Sequence, residues 1–117
     1  MDSYNLTRLK KNKDFLKVYR LGKSVADKNL VMYRLKSDDG IIRVGFSVGK
    51  KFGKAVSRNR VKRVLREICR LNKDRFEVGY DYVIIARTAA QDSDYQELEK
   101  SVLKLLNKHA RFRRCEP

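Results

Sequence analysis

The chain is organised around residues 50–70, KKFGKAVSRNRVKRVLREICR. From Val56 onward, apolar residues recur at the spacing i, i+3, i+4 and i+7, which is typical of one face of an α-helix. The residues in this apolar stripe are Val61, Val64, Leu65 and Ile68. We therefore predict an amphipathic helix that packs its apolar face on a core.

The polar side of this helix and the loop before it gather positive charge without an intervening acid. The cations that precede Glu67 are Lys50, Lys51, Lys54, Arg58, Arg60, Lys62, Arg63 and Arg66. Like charges three or four residues apart repel each other, so they do not stabilise the helix. A solvated basic face is one interpretation, but solvated faces commonly mix both signs of charge. We favour a face that binds phosphates.

The composition is that of one small basic domain. The length of 117 residues suffices for a modest core, and we predict a single domain over residues 1–117, with a flexible arm at 1–12 and a basic tail at 110–117. A net charge of +15 attracts polyanions, either nucleic acid or an anionic membrane surface. No apolar run reaches the length of about 18 residues that suggests a membrane span, and no apolar signal region begins the chain. We therefore expect a cytoplasmic location.

The sequence shows no pattern of metal ligands. Its two cysteines, Cys69 and Cys115, lack CxxC partners, and His109 is the single histidine. Because structural zinc sites need several such ligands at close spacing, we expect no metal bound by the protein. We predict that Cys69 is a small core residue, that Cys115 is a free thiol in the tail, and that His109 lies at the surface or caps the last helix.

The remaining periodicities predict a mixed α/β chain in the order α-β-β-α-β-α. The predicted elements are a helix at 13–21, strands at 30–36 and 41–48, the basic helix, a strand at 80–87 and a final helix that begins at a capping box formed by Asp94 and Glu97. A Ser-Asp-Asp-Gly turn separates the first two strands, which should form a hairpin. The crossover from Val48 to Tyr80 should make those strands parallel, and general rules make such crossovers right-handed.

Phe15 and Tyr19 lie four residues apart, so they share a face of the first predicted helix. This face could pack on the core, which is the commoner role of rings at helical spacing. It could also present two rings on which nucleic-acid bases stack. The residues alone leave both interpretations open.

Three consecutive segments resemble the protein component of bacterial ribonuclease P. They are GFSVGKK at 45–51, GKAV at 53–56 and RNRVKR at 58–63, which contains the RNR motif of that family. The resemblance extends in element order from about residue 9 to residue 108, and DYVIIAR at 81–87 is similar to a strand of the family.

The resemblance implies a compact α/β sandwich around a small mixed sheet, with a left-handed crossover through the RNR helix, against the general rule. It also implies a protein subunit that joins a large catalytic RNA. The complex removes the 5′ leader from precursor tRNA, and the RNA performs the hydrolysis with bound Mg²⁺ ions. The protein alone is then expected to be inactive.

Residue roles also follow from the resemblance. The positions that match the surface for the catalytic RNA are Lys54, Arg58, Asn59, Arg60, Lys62, Arg63 and Arg66. The positions that match the cleft for the single-stranded leader are Phe15, Tyr19, Val31 and Tyr33. Ser47, Lys50 and Lys51 match the polar leader-binding positions that adjoin this cleft. Tyr19 stands where many members have phenylalanine, and it retains a ring for stacking.

Other function classes fit the sequence less well. A metal-dependent protein nuclease needs clustered carboxylates, whereas the acids here look like turn formers and helix caps. A membrane-surface protein needs an exposed bulky apolar helix face flanked by lysines, which is not found. A general binder of structured RNA, similar to a ribosomal protein, remains the alternative, because composition alone cannot distinguish it from a ribonuclease P subunit.

Overall fold

The computed structural model describes residues 6–37 and 39–115, and this part of the chain forms five β-strands and three α-helices. The strands are β1 (Leu6–Arg8), β2 (Lys23–Ala26), β3 (Leu30–Lys36), β4 (Ile42–Val48) and β5 (Tyr80–Ala86). The helices are α1 (Asn12–Leu21), α2 (Ala55–Leu71) and α3 (Tyr95–Cys115). Short 3-10 turns at Lys50–Phe52, Lys73–Arg75 and Thr88–Asp92 connect them.

The strands form one mixed sheet in the order β1-β4-β5-β3-β2. β4 runs parallel to β5, as the crossover through α2 predicts, and β3 runs antiparallel to β5. The predicted hairpin between β3 and β4 is wrong, because β5 lies between these strands and pairs with both. The apolar run of β5 explains its central position, since Val83 and Ile84 point to opposite faces and both are fully buried. The handedness of the crossover remains a prediction.

Helices cover both faces of the sheet. α2 and α3 pack with the inward residues of β3, β4 and β5 in the larger core, which includes Met32, Val44 and Ile84. α1 packs on the other face through Val18, beside Val83. The α/β sandwich is therefore confirmed, and each face of the sheet has its own apolar cluster.

The basic helix follows the predicted pattern. Val61, Leu65 and Ile68 are buried against the sheet, and so is Cys69, as predicted. Burial raises the pKa of the Cys69 thiol, so this side chain remains a neutral core residue. The helix ends at Leu71, and the side-chain amide of the capping residue Asn72 donates a hydrogen bond of 2.8 Å to the Ile68 carbonyl.

Two short strands were not predicted from the sequence. β1 lies in the segment predicted as a flexible arm, and it pairs in parallel with Ile42–Val44 of β4. β2 follows α1 and pairs antiparallel with β3. Strands of three and four residues are too short to show a clear alternation of apolar and polar residues in the sequence. They form by pairing with the edges of β4 and β3. Leu9 is buried and Asn12 begins α1, so the prediction of a flexible arm is wrong for residues 6–12. Residues 1–5 of that arm lie outside the described residues.

The C-terminal helix differs from the prediction at its end. Its start is confirmed, because Asp94 and Glu97 exchange backbone-to-carboxylate hydrogen bonds. The helix then continues to Cys115, so it includes residues 110–115 of the predicted basic tail, while residues 116–117 lie outside the described residues. The prediction of a surface or capping histidine is also wrong. His109 is 1% exposed, and its Nε2 donates to the Met32 carbonyl at 3.0 Å, because α3 crosses the inner face of β3.

Candidate nucleic-acid interface

A cleft of about 470 Å³ opens where β4 has no neighbour on one side. β1 pairs with β4 only as far as Val44, so the edge of β4 from Phe46 onward is unpaired by any described strand. α1 lies on one side of this edge and α2 on the other. The residues that line the cleft are Asn12, Phe15, Leu16 and Tyr19 of α1, Phe46, Ser47 and Val48 of β4, and Lys62 of α2.

Aromatic rings form the α1 side of the cleft. The centroids of Phe15 and Tyr19 are 6.4 Å apart, and Tyr19 meets Tyr33 edge-on at 5.1 Å. All three rings are only partly buried. They therefore pack on the smaller core and still present ring surface to solvent, so the two interpretations of this face are compatible.

Val31, Tyr33 and Ser47 lie on the same face of the sheet as α1. Ser47 is aligned with Ile85, and Ile85 is aligned with Val31, so these three residues form one row across β4, β5 and β3. Strand spacing places the two ends of the row roughly 10 Å apart. Val31 and Tyr33 do not line the cleft itself, but they extend the same face beyond it.

The basic helix forms the second side of the interface. Lys62 points into the cleft, and Arg66, one turn further along, lines the space beside Phe46. Asn59, Arg60 and Arg63 are exposed on the same helix, and Lys54 is exposed at its N-cap position. The predicted cationic face is therefore accessible and continuous with the ring-lined cleft.

Arg58 differs from the other cations of this helix. Its guanidinium donates a hydrogen bond of 2.8 Å to the Gly53 carbonyl, and the side chain is partly buried. The residue therefore ties the loop before α2 to the first turn of the helix. Lys50 and Lys51 are exposed in the turn that follows β4, and they do not line the cleft.

Sequence reasoning missed four residues of the cleft: Asn12, Leu16, Phe46 and Val48. Phe46 and Val48 alternate with Ser47 in the pattern of core positions, which gives no sign that they reach a surface. They become accessible because β1 ends early and leaves the edge of β4 open. Leu16 is 58% exposed, and it adds an apolar surface to the α1 side of the cleft.

Several carboxylates serve local structure. Asp27 accepts hydrogen bonds from the backbone N–H groups of Asn29 and Leu30, and Asp39 pairs with Arg43 and accepts from the Ser37 hydroxyl. The Arg43 guanidinium holds the pKa of Asp39 below its ordinary value. Within residues 6–37 and 39–115, no three metal-ligating side chains gather into a cluster. In the same part of the chain, no helix has the length and apolar character needed to cross a membrane.

The fold and the interface define a class: a small basic α/β protein whose ring-lined cleft adjoins a cationic helix. The family model for ribonuclease P matches residues 4–110. The ribonuclease P protein component of Pelotomaculum thermopropionicum is 53% identical over 100 residues, which cover 86% of this chain and 89% of that protein. The corresponding protein of Clostridioides difficile is 47% identical over 109 residues, with 92% and 96% covered.

Solved structures give the same result. The RNase P protein from Thermotoga maritima superimposes with a TM-score of 0.80 at 35% identity, covering 86% of this chain and 96% of that one. The Staphylococcus aureus RNase P protein gives 0.78 at 36% identity, with 87% and 94% covered. This chain belongs to the ribonuclease P protein family and is a protein subunit of that tRNA-processing endoribonuclease.

Proposed function

We propose that this chain holds the single-stranded 5′ leader of precursor tRNA in the cleft between α1 and the open edge of β4, while α2 contacts the catalytic RNA. One observation carries this proposal: the cationic face of α2 and the ring-lined cleft form one continuous surface that shares Lys62. A polyanion bound along the basic helix can therefore extend directly onto the aromatic rings of the cleft.

The chemistry of the cleft suits a leader of variable sequence. Aromatic rings accept any base by stacking, which contributes about 1–3 kcal/mol per base, and lysine or arginine side chains follow the phosphates. Phe15 and Tyr19 provide rings, and Lys62 provides the charge at the opposite wall. Lys50 and Lys51, just past the end of β4, extend the cationic path beyond the cleft.

Structured RNA is recognised mainly through its shape, its phosphates and its 2′-hydroxyl groups. Arg60, Arg63 and Arg66 are exposed at successive turns of α2 and can contact such a surface. Asn59 supplies an amide that can donate to or accept from a 2′-hydroxyl. Arg58 contributes by holding the start of α2 in place, and Lys54 adds a cation where the helix begins.

In this proposal the RNA performs the hydrolysis. Mg²⁺ would supply the Lewis-acid chemistry and the RNA would hold it, which agrees with the use of Asp27, Asp39 and Asp94 in a turn, an ion pair and a helix cap. The protein raises the affinity of the complex for precursor tRNA by binding the leader, which mature tRNA lacks. The site of action is the cytoplasm, where tRNA is processed.

A single-turnover cleavage assay on a 5′-extended precursor tRNA at low Mg²⁺ tests the proposal. It compares the protein alone, a bacterial ribonuclease P RNA alone, and the two together. We expect cleavage at the mature 5′ end to be far faster with both present, and no cleavage by the protein alone.

Two outcomes would contradict the proposal. Cleavage by metal-repurified protein that Arg60→Ala leaves intact would place the chemistry in the protein. Tight RNA binding without any gain in cleavage, and equal affinity for precursor and mature tRNA, would indicate a general RNA-binding module.

A further inference from the structure

A second, apolar pocket lies between β1 and α2, on the side of the open strand edge away from α1. It has a volume of about 200 Å³, and Val44, Phe46 and Cys69 form its floor. An apolar cavity of about 150 Å³ is large enough to hold a benzene ring. The pocket is thus of the size for one nucleobase and far larger than one water molecule needs.

Three arginine side chains also line this pocket. Arg8 comes from β1, and Arg66 and Arg70 come from α2. No carboxylate is among the residues that line the pocket, although Glu67 pairs with Arg70 beside it. An apolar floor with cationic walls matches a nucleotide, whose base is flat and largely apolar on its faces and whose phosphate is anionic.

The pocket is connected to the leader cleft. An intermediate compartment of about 310 Å³ shares Phe15, Phe46 and Lys62 with the cleft. The same compartment shares Arg8, Phe46 and Arg66 with the apolar pocket. Phe46 lines all three, so a single strand of RNA can follow one path along the open edge of β4 from the rings to the pocket.

We propose that the β1–α2 pocket binds one nucleobase of the leader, beyond the nucleotides held in the cleft, with Arg8 and Arg66 on the adjoining phosphates. This inference rests on the proposed function and adds a subsite to it. The pocket encloses one base, whereas in the open cleft bases stack on exposed rings.

The test uses the complex of this protein with a bacterial ribonuclease P RNA, in a buffer that permits binding without cleavage. Dissociation constants are measured for precursor tRNAs whose leaders lengthen by one nucleotide at a time. In the longest leader, each base is then removed in turn by an abasic substitution that keeps the phosphate. We expect one distal position where base removal weakens binding about fivefold or more, a loss at the low end of base–aromatic stacking.

Two variants identify the pocket as the cause. Arg8→Gln should abolish the effect of the distal abasic substitution and leave binding of a short, cleft-filling leader unchanged. Lys104→Gln removes the same charge from α3, at the opposite edge of the sheet, and should behave like the unmodified protein. Thermal melting of each variant checks that the fold is intact.

The outcomes separate the two proposals. If precursor tRNA is preferred over mature tRNA but no distal base matters, the pocket proposal is wrong and the leader cleft stands. If Arg8→Gln and the distal abasic change weaken binding independently of each other, the pocket proposal is also wrong. If precursor and mature tRNA bind equally at every leader length, the proposed function itself fails.

Discussion

The ring of Phe15 lies directly over Gly45. A Cβ atom at position 45 would come within 2.5 Å of Phe15 Cζ and 3.1 Å of Leu9 Cβ. Real Cβ atoms essentially never approach another atom as closely as 2.5 Å, so the ring can occupy its place in the cleft only above a glycine. The packing of α1 on β4 thus depends on Phe15 and Gly45, which lie 30 positions apart in the sequence.

Gly45→Ala should therefore move the Phe15 ring out of the cleft. We expect the free energy of unfolding to fall by about 1–3 kcal/mol, the usual cost of overpacking, and the affinity for precursor tRNA to fall with it. Urea unfolding and equilibrium binding measure the two effects. Gly49→Ala is the matched control, because a Cβ there meets no atom within 4 Å. Equal behaviour of the two variants would contradict the packing argument.

Tyr33→Ala should reduce the preference for precursor over mature tRNA. The change removes a ring from the α1 face of the sheet and the edge-on support that Tyr33 gives Tyr19 at 5.1 Å. The expected loss is about 1–3 kcal/mol for each base that no longer stacks. Tyr33→Phe retains the ring and should retain the preference. If Tyr33→Phe is as defective as Tyr33→Ala, the hydroxyl matters and stacking is not the mechanism.

Arg58→Ala and Arg60→Ala should differ in their effect on folding. Arg58 donates to the Gly53 carbonyl at 2.8 Å, so its removal should lower the free energy of unfolding by about 1–3 kcal/mol. Arg60 is exposed, so its removal should leave stability nearly unchanged and weaken binding of the catalytic RNA. Melting temperatures without RNA and dissociation constants with RNA separate these contributions. An Arg58→Ala variant as stable as the unmodified protein would show that the hydrogen bond to the Gly53 carbonyl does not stabilise the loop before α2.

His109 should make the protein less stable as the pH falls below neutral. Burial, together with the nearby charges of Arg34 and Lys23, lowers the pKa of His109 from 6.5 to about 4, against the opposing effect of the Met32 carbonyl. The unfolded chain therefore binds a proton between pH 6.5 and about 4 that the folded chain does not bind. The free energy of unfolding should decrease as the pH falls through this window, and above it His109 should add no pH dependence.

Urea unfolding as a function of pH measures this effect, with His109→Gln as the comparison. The variant should be less stable at neutral pH, because it disturbs a buried contact, but its stability should vary less between pH 6.5 and 4.5. Carboxylates with lowered pKa values, such as Asp27 and Asp39, lose their contributions mainly below this range. Parallel pH profiles for the two proteins would contradict the assignment to His109.

The sequence by itself determined the local elements and the surface charge. Helix α2 follows from the apolar spacing of Val61, Leu65 and Ile68, and β3 has the predicted bounds, because periodicity and turn residues are local properties of the chain. The capping box of Asp94 and Glu97 is local in the same sense. The family motifs supplied the function as a ribonuclease P subunit. They also supplied the residues of the RNA-binding surface, whose roles remain proposals.

Only the tertiary structure decided how these elements meet. The insertion of β5 between β3 and β4, the pairing of β1 with half of β4, and the burial of His109 all depend on contacts between residues far apart in sequence. Such contacts leave no periodic signal. The open edge at Phe46 exists because β1 ends at Arg8, opposite Val44. Both the ring-lined cleft and the β1–α2 pocket are consequences of that early end.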